Sequence, residues 1–418
     1  MKINIYLGRL ALLLAMIGGA QASEKCSITE TFPGPSTGAG ISRDNWLSPA
    51  YQRYGATHAD QFMPIREIRC PHPRTPLVTA RTTLDLNAIT GTDPFDKTSR
   101  SLEFLLDTRL YANGIIVLSR NEILAERYWN DLAKDKPQLL QDGSRAVLAL
   151  LGAIAIEQGK LGATQPITRS LPSLAKTTSL RKISVRRFLD PEAFFAWTPA
   201  QMQAWTNASG WTGNDSKGVR TWLTQTDWKR RPVAGDARRT TIAPEDDLLA
   251  WMIASAFEMP TAQVMANTLL PELKPESPVY WLTDTQGTDL AGGIAFSLRD
   301  LARFGKVLID ARNSGHSAVP KWFVETLLAP SKARNVTQDR AYVIAPTEVQ
   351  RFGFIRLKPT ANEYVLLGGH GTSLYLDFDR QIVIAILATH PAKDGPVVTD
   401  TLIETWQRIL ANVHTSGS

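Results

Sequence analysis

The sequence predicts an α/β (α+β) chain: an antiparallel sheet flanked by helices, with a helical domain inserted into it. Three observations carry this. A helix followed by a hairpin is patterned over residues 102–129. Strand-like runs return at 351–389. Between them lies a tract, 165–285, of helical patterns broken by Pro and Gly. When strands come from both ends of a chain and helices from its middle, the middle reads as an insertion.

Residues 102–110 have helical spacing, and 114–119 and 123–129 read as two strands about a turn at 120–122. The apolar run 146–156, closed near Gly159, reads as a buried helix, and 248–257 and 298–305 as two more. Strands are expected at 351–357, 364–367, 373–378 and 382–389. The last helix places Val398, Leu402, Trp406, Ile409 and Val413 on one face, as a helix packed on a sheet requires. The expected division is a signal peptide at 1–22 and an extended arm rich in Pro, Gly, Thr and Asp at 23–97. A sheet domain follows from 98–140 and 286–418, with the helical domain at 141–285 between its halves.

With 43% hydrophobic and 21% charged residues in 418, the chain has ample material for a core, which excludes a disordered class. The net charge of +6 comes from 46 basic and 40 acidic residues spread along the chain. The densest basic stretches, 182–187 and 229–231, have no aromatic-basic recognition module beside them, so they read as solvated faces and nucleic acid is not an expected partner. Lys2 and Arg9, the apolar stretch 10–17 and Ala20-Gln21-Ala22 have the form of a signal peptide cleaved near Ala22, too short to span a bilayer. No later segment is long and apolar enough to cross. A periplasmic or secreted protein is therefore expected. In an oxidising compartment Cys26 and Cys70, the two cysteines, are expected to pair; two unrelated buried thiols are the alternative.

Several segments, in order, then resemble one group of proteins. They are Asn45-Trp46 with Phe62-Met63-Pro64, the hairpin at 114–128, the helix tail at 154–161 and the run Ile183-Ser184-Val185-Arg186-Arg187-Phe188-Leu189. Gly292-Gly293 with the 297–305 helix and the strand region 368–379 complete the set. Together they resemble the β-lactamase-related serine hydrolases, in the branch of the 6-aminohexanoate-dimer hydrolases and related esterases, over roughly residues 45–411. The resemblance implies a β-lactamase/DD-peptidase-like fold and acyl-transfer chemistry: a serine nucleophile in S-x-x-K, a lysine of lowered pKa, a tyrosine in Y-x-N and an oxyanion hole of backbone N–H groups.

The chain departs from that pattern at three points. Counting back from Lys160 puts Asp142 at the nucleophile position and Arg145 at the lysine position. A guanidinium cannot act as a base at any usable pH. Thr241-Ile242-Ala243 stands where Y-x-N is expected. The third element survives in part as His370-Gly371-Thr372, whose Gly371 and Thr372 match the family's glycine-containing strand. Two other S-x-x-K matches, Ser173–Lys176 and Ser179–Lys182, sit in a loop with no apolar run after them and read as chance.

Two readings follow. In the first, the chain keeps the scaffold and a ligand cleft but does not form an acyl-enzyme. Asp142, Arg145, Thr241, Gly371 and Thr372 are then the candidate ligand-binding residues. Arg145 suits an anionic group, although Asp142 could neutralise it, and Asp142 could equally cap the helix. In the second, an active ester or amide hydrolase uses Ser144 as nucleophile and His370, with a pKa near neutrality, as base. Trp197, Trp205, Trp211, Trp222 and Trp228 either line a groove or pack the core. No cofactor and no metal is expected. The expected partner is a small-molecule or peptide-like ligand, and the sequence sets no oligomeric state.

Overall fold

The computed structural model describes residues 25–33, 40–71, 76–190, 195–213, 217–230, 241–314, 317–330, 349–358 and 360–413. The expected signal peptide at 1–22 lies outside them.

The larger sheet has eight strands. Its spatial order is Val349–Arg351, Phe354–Arg356, Glu363–Gly369, Thr372–Asp377, Ile382–Ala388, Ala112–Ser119, Glu122–Tyr128 and Val78–Thr79. All neighbours are antiparallel except the last pair. The seam between Ala112–Ser119 and Ile382–Ala388, with Ile115 opposite Ile386 and Val117 opposite Ile384, joins the two ends of the chain. Both faces of this seam are covered, which is why residues 115–118 and Ile382–Ala388 are apolar throughout and do not alternate with polar residues. Val383, Ala385 and Leu387 enter one core; Ile382, Ile384 and Ile386 enter the other. Helix Leu298–Ala311 supplies Leu301, Phe304 and Leu308 to the first core, and helix Pro396–Asn412 supplies Leu402, Trp406 and Ile409 to the second.

A smaller sheet of five strands runs Ser27–Thr31, Ile65–Arg69, Val279–Thr283, Asp289–Phe296 and Gln138–Leu139. The segment expected to be an extended arm thus supplies two strands to this sheet, because Ile65 and Ile68 are apolar enough to be buried against the core. Ser27 lies opposite Arg69, so the next pair outward, Cys26 and Cys70, meets as a disulfide. Arg66 locks this sheet further: it pairs with buried Asp289 and donates to the Gly287 carbonyl at 3.0 Å. Strand Val279–Thr283 falls inside the tract expected to be helical, and the pairing with the N-terminal strands holds it there.

The structure also differs from the sequence expectation at residues 102–110. Only Leu102–Phe104 is α-helical, and Leu105–Arg109 widens into a π-helical turn. The strand expected at 351–357 is a hairpin, with Phe352 and Gly353 at positive φ between Val349–Arg351 and Phe354–Arg356. The helix expected from 146 runs Ser144–Glu157 and packs against helix Pro244–Phe257 and strand Asp289–Phe296. Its residues 144–155 are buried on all sides, as a helix without a polar face must be.

Candidate functional site

The start of that central helix is the candidate site. Its N-cap is Gly143, and no side chain caps it. Asp142 belongs to a single 3-10 turn, Gln141–Gly143, and makes no side-chain cap for the helix. Oδ1 accepts the Ile242 N–H at 2.8 Å, and Oδ2 pairs with Lys393 Nζ at 2.9 Å. The capping expectation for Asp142 is therefore corrected. The carboxylate ties together three chain segments distant in sequence: the helix start, the 241–243 loop and the loop after the last strand. The Asp142 side chain is 7% exposed, whereas that of Lys393 is 42% exposed.

Arg145 lies in the first turn of the helix and is buried. A buried guanidinium needs a carboxylate, and it finds Asp246, which is itself fully enclosed. One further guanidinium N–H reaches the Leu189 carbonyl at 3.4 Å. The Arg145 charge thus has a carboxylate partner inside the protein, Asp246. Asp246 also accepts the Ala243 N–H at 2.9 Å through its other oxygen, closing the N-terminus of helix Pro244–Phe257. Thr241, in the loop just before, is exposed.

The third wall is the turn Gly369-His370-Gly371, in which all three residues have positive φ. A Cβ on Gly369 would lie 3.2 Å from Asp142 Oδ2 and 3.4 Å from Lys393 Cε, so the turn approaches the ion pair closely because it is glycine. His370 is held at φ 55° by two bonds: its N–H to the Lys393 carbonyl at 2.6 Å, and its Nδ1 to the His390 carbonyl at 2.7 Å. A carbonyl only accepts, so Nδ1 carries the proton and Nε2 is the basic nitrogen of the neutral ring. Burial pushes the His370 pKa below its ordinary value, against the opposing pull of the His390 carbonyl. The Thr372 hydroxyl is buried, donates to the Ala388 carbonyl at 3.0 Å and accepts the Ala388 N–H at 3.1 Å. Its hydroxyl is thus engaged with the neighbouring strand. Gly371 serves the turn: a Cβ there would meet Leu110 Cδ1 at 2.8 Å.

Ser144 is fully buried, and its Oγ makes no hydrogen bond. His370 is bonded to the loop at 390–393 and not to Ser144. The two residues of the rearranged catalytic set are thus not joined. The lysines of both loop S-x-x-K matches, Lys176 and Lys182, are exposed. Most of the tryptophans pack: Trp197, Trp222 and Trp228 form one cluster, and the buried Trp205 indole donates to Asp247 at 2.7 Å. Trp211 stacks on Trp46 and lies beside Ile242, both side chains reaching over Gly292. Gly293 then closes against Leu282 at the irregularity in strand Asp289–Phe296.

Sequence reasoning missed Asp246 and Lys393. Asp246 was within reach, since a buried arginine at 145 demands a carboxylate and Glu245-Asp246-Asp247 directly precedes an apolar helix. Nothing local marks Lys393, which reaches Asp142 from the far end of the chain. Among the described residues no group of His, Cys, Asp and Glu is arranged to hold a metal ion.

No family model matches the chain. It is 24% identical over 374 residues to the 6-aminohexanoate-dimer hydrolase of Paenarthrobacter ureafaciens, which spans 87% of this chain and 91% of that enzyme. A Bacillus anthracis structure provisionally named a 6-aminohexanoate-dimer hydrolase superimposes with a TM-score of 0.73 at 18% identity, covering 90% of this chain and 97% of that one. The β-lactamase/D-alanine carboxypeptidase of Pseudomonas syringae gives a TM-score of 0.53 at 18% identity, over 75% of this chain and 99% of that one. The chain has the β-lactamase/penicillin-binding-protein fold and, over most of its length, resembles the β-lactamase-related serine hydrolases of the 6-aminohexanoate-dimer hydrolase branch.

Proposed function

We propose that this chain is an exported binding protein on a serine-hydrolase fold that does not form an acyl-enzyme. The observation that carries the reading is the pair of side chains at the positions where the resemblance expects nucleophile and base. Asp142 is anchored by the Ile242 N–H and Lys393, and Arg145 by Asp246. An acyl-transfer site needs a hydroxyl that can lose its proton and an amine or phenol that can take it. A carboxylate and a permanently charged guanidinium supply neither. The Cys26–Cys70 disulfide fits an oxidising compartment. No helix among the described residues is long and apolar enough to cross a membrane.

The test is hydrolysis of p-nitrophenyl acetate, nitrocefin and short amides, with fluorophosphonate labelling in parallel. The reading expects rates at the buffer background and no labelled protein. Turnover above background, or labelling that Ser144→Ala removes, would establish the alternative, a serine hydrolase with a rearranged catalytic set.

A further inference from the structure

We infer that Arg53, Tyr111 and His390 form a surface site for a terminal phosphate group. The site uses none of the residues at the start of the central helix, and it does not depend on whether the chain forms an acyl-enzyme.

The first observation is a guanidinium held in place without a counter-ion. Arg53 is half-buried in the short helix Gln52–Thr57. It donates from Nη1 to Asn130 Oδ1 at 2.9 Å and from Nε to Thr389 Oγ1 at 3.4 Å. Both acceptors are themselves fixed. The Asn130 amide donates to the Ala112 carbonyl at 3.0 Å, and the buried Thr389 hydroxyl donates to Asn113 Oδ1 at 3.5 Å. The guanidinium also lies 5.5 Å from the centre of the Tyr111 ring. Among the described residues no carboxylate comes within ion-pair distance of Arg53, whereas Arg66, Arg145 and Arg299 each have one. A cation fixed in advance binds an anion without the cost of ordering its side chain.

The second observation is that the groups beside it can donate as well. Tyr111 is 39% exposed at a φ of 55°, a conformation that a bulky side chain rarely adopts. Its carbonyl accepts the Thr389 N–H at 3.1 Å, which holds the turn. The His390 ring meets the Tyr111 ring edge-on, with 5.3 Å between centres. His390 Nδ1 accepts the Ala392 N–H at 3.1 Å, so in the neutral ring Nε2 carries the proton. Arg53 Nη2, Tyr111 Oη and His390 Nε2 thus each hold a proton that no described residue accepts.

The third observation decides which anion these donors suit. A carboxylate grips arginine best through two parallel N–H groups. Here Nε and Nη1 are each engaged with a protein oxygen, which leaves Nη2. Single donors on three side chains suit an anion with three terminal oxygens and close to two charges, as a terminal phosphate has. The net charge of +6 draws anions to the surface but selects no place on it. Inorganic phosphate and the headgroup of phosphatidic acid both present this chemistry, and no covalent step is involved.

The test uses the full chain at low ionic strength. One arm titrates it with inorganic phosphate, read by phosphorus NMR and calorimetry, with sodium acetate as the carboxylate control. The other arm measures co-sedimentation with phosphatidylcholine vesicles containing phosphatidic acid. Binding in the first arm names a soluble source, and binding in the second alone names a lipid. In either arm Arg53→Gln should weaken binding about tenfold or more, and Tyr111→Phe, which keeps the ring and loses the hydroxyl, about tenfold. Lys176→Gln, which removes an exposed charge elsewhere, should leave binding unchanged. Circular dichroism and thermal melting establish that each variant is folded, and Tyr111→Phe alone decides should Arg53→Gln not fold. The inference is overturned by a lack of binding in both arms or by acetate bound as tightly as phosphate. It is equally overturned by binding that Tyr111→Phe leaves intact or that Lys176→Gln weakens as much as Arg53→Gln does.

Discussion

The guanidinium of Arg145 and the carboxylate of Asp246 face each other with side-chain exposures of 6% and 0%. In most proteins an ion pair this dry contributes little net stability when compared with an apolar pair of the same shape, but losing one member leaves an uncompensated buried charge. Asp246→Ala is therefore expected to destabilise the protein by about 3–5 kcal/mol. The same change also opens the Ala243 N–H that Asp246 caps. Arg145→Met alone should cost a similar amount, and Arg145→Met with Asp246→Leu should cost clearly less than the sum. Urea unfolding of the three variants measures this; strict additivity would show that the pair is not a unit.

The same pair determines what happens when an S-x-x-K is introduced at the helix start. Asp142→Ser with Arg145→Lys rebuilds S-x-x-K in sequence. The new lysine, however, would inherit Asp246, and a buried carboxylate holds an ammonium protonated and raises its pKa when a base needs it lowered. Thr241-Ile242-Ala243 supplies no phenol to take over. The double variant should therefore fold, melt within a few degrees of the parent and still fail to react with a fluorophosphonate. Stoichiometric labelling of the introduced serine would mean that Asp246 does not govern the base position.

How much of this could be read without coordinates depends on the range of each interaction. The seam strand at 382–388 and the helix face of Val398, Leu402, Trp406 and Ile409 were legible, because periodicity is a local property and burial follows from it. The strands at 65–69 and 279–283 were not: each is short, and what makes them strands is their pairing with each other from distant parts of the chain. The Asp142–Lys393 contact was hidden for the same reason, since the turn at His370 that brings the loop to it is formed by tertiary hydrogen bonds.

The disulfide closes a span of 44 residues between the two N-terminal strands. Cross-linking a loop of that length restricts the unfolded chain, and removing such a bond costs about 2–5 kcal/mol. Cys26→Ser with Cys70→Ser should lower the unfolding midpoint accordingly. Intact mass under non-reducing conditions confirms the bond before the comparison, and a double variant as stable as the parent would show that the strand pair needs no staple.

Stability should also fall as pH rises across the weakly acidic range, and two buried carboxylates set the window. Asp247 accepts the Ala291 N–H and the Trp205 indole, yet burial outweighs these bonds and pushes its pKa up to about 7. Asp300, beneath Ser297, is pushed up to about 6 for the same reason. Because the folded state keeps these protons while the unfolded chain releases them near 3.8, folding loses stability from about pH 4 up to about pH 7 and is level above. The Tm should thus be higher at pH 5 than at pH 8. Asp247→Asn, which cannot ionise, should shrink that difference while leaving the Asp300 part in place. A Tm that rises over the same interval, or a difference untouched by Asp247→Asn, would show that Asp247 is already ionised in the folded protein at pH 5.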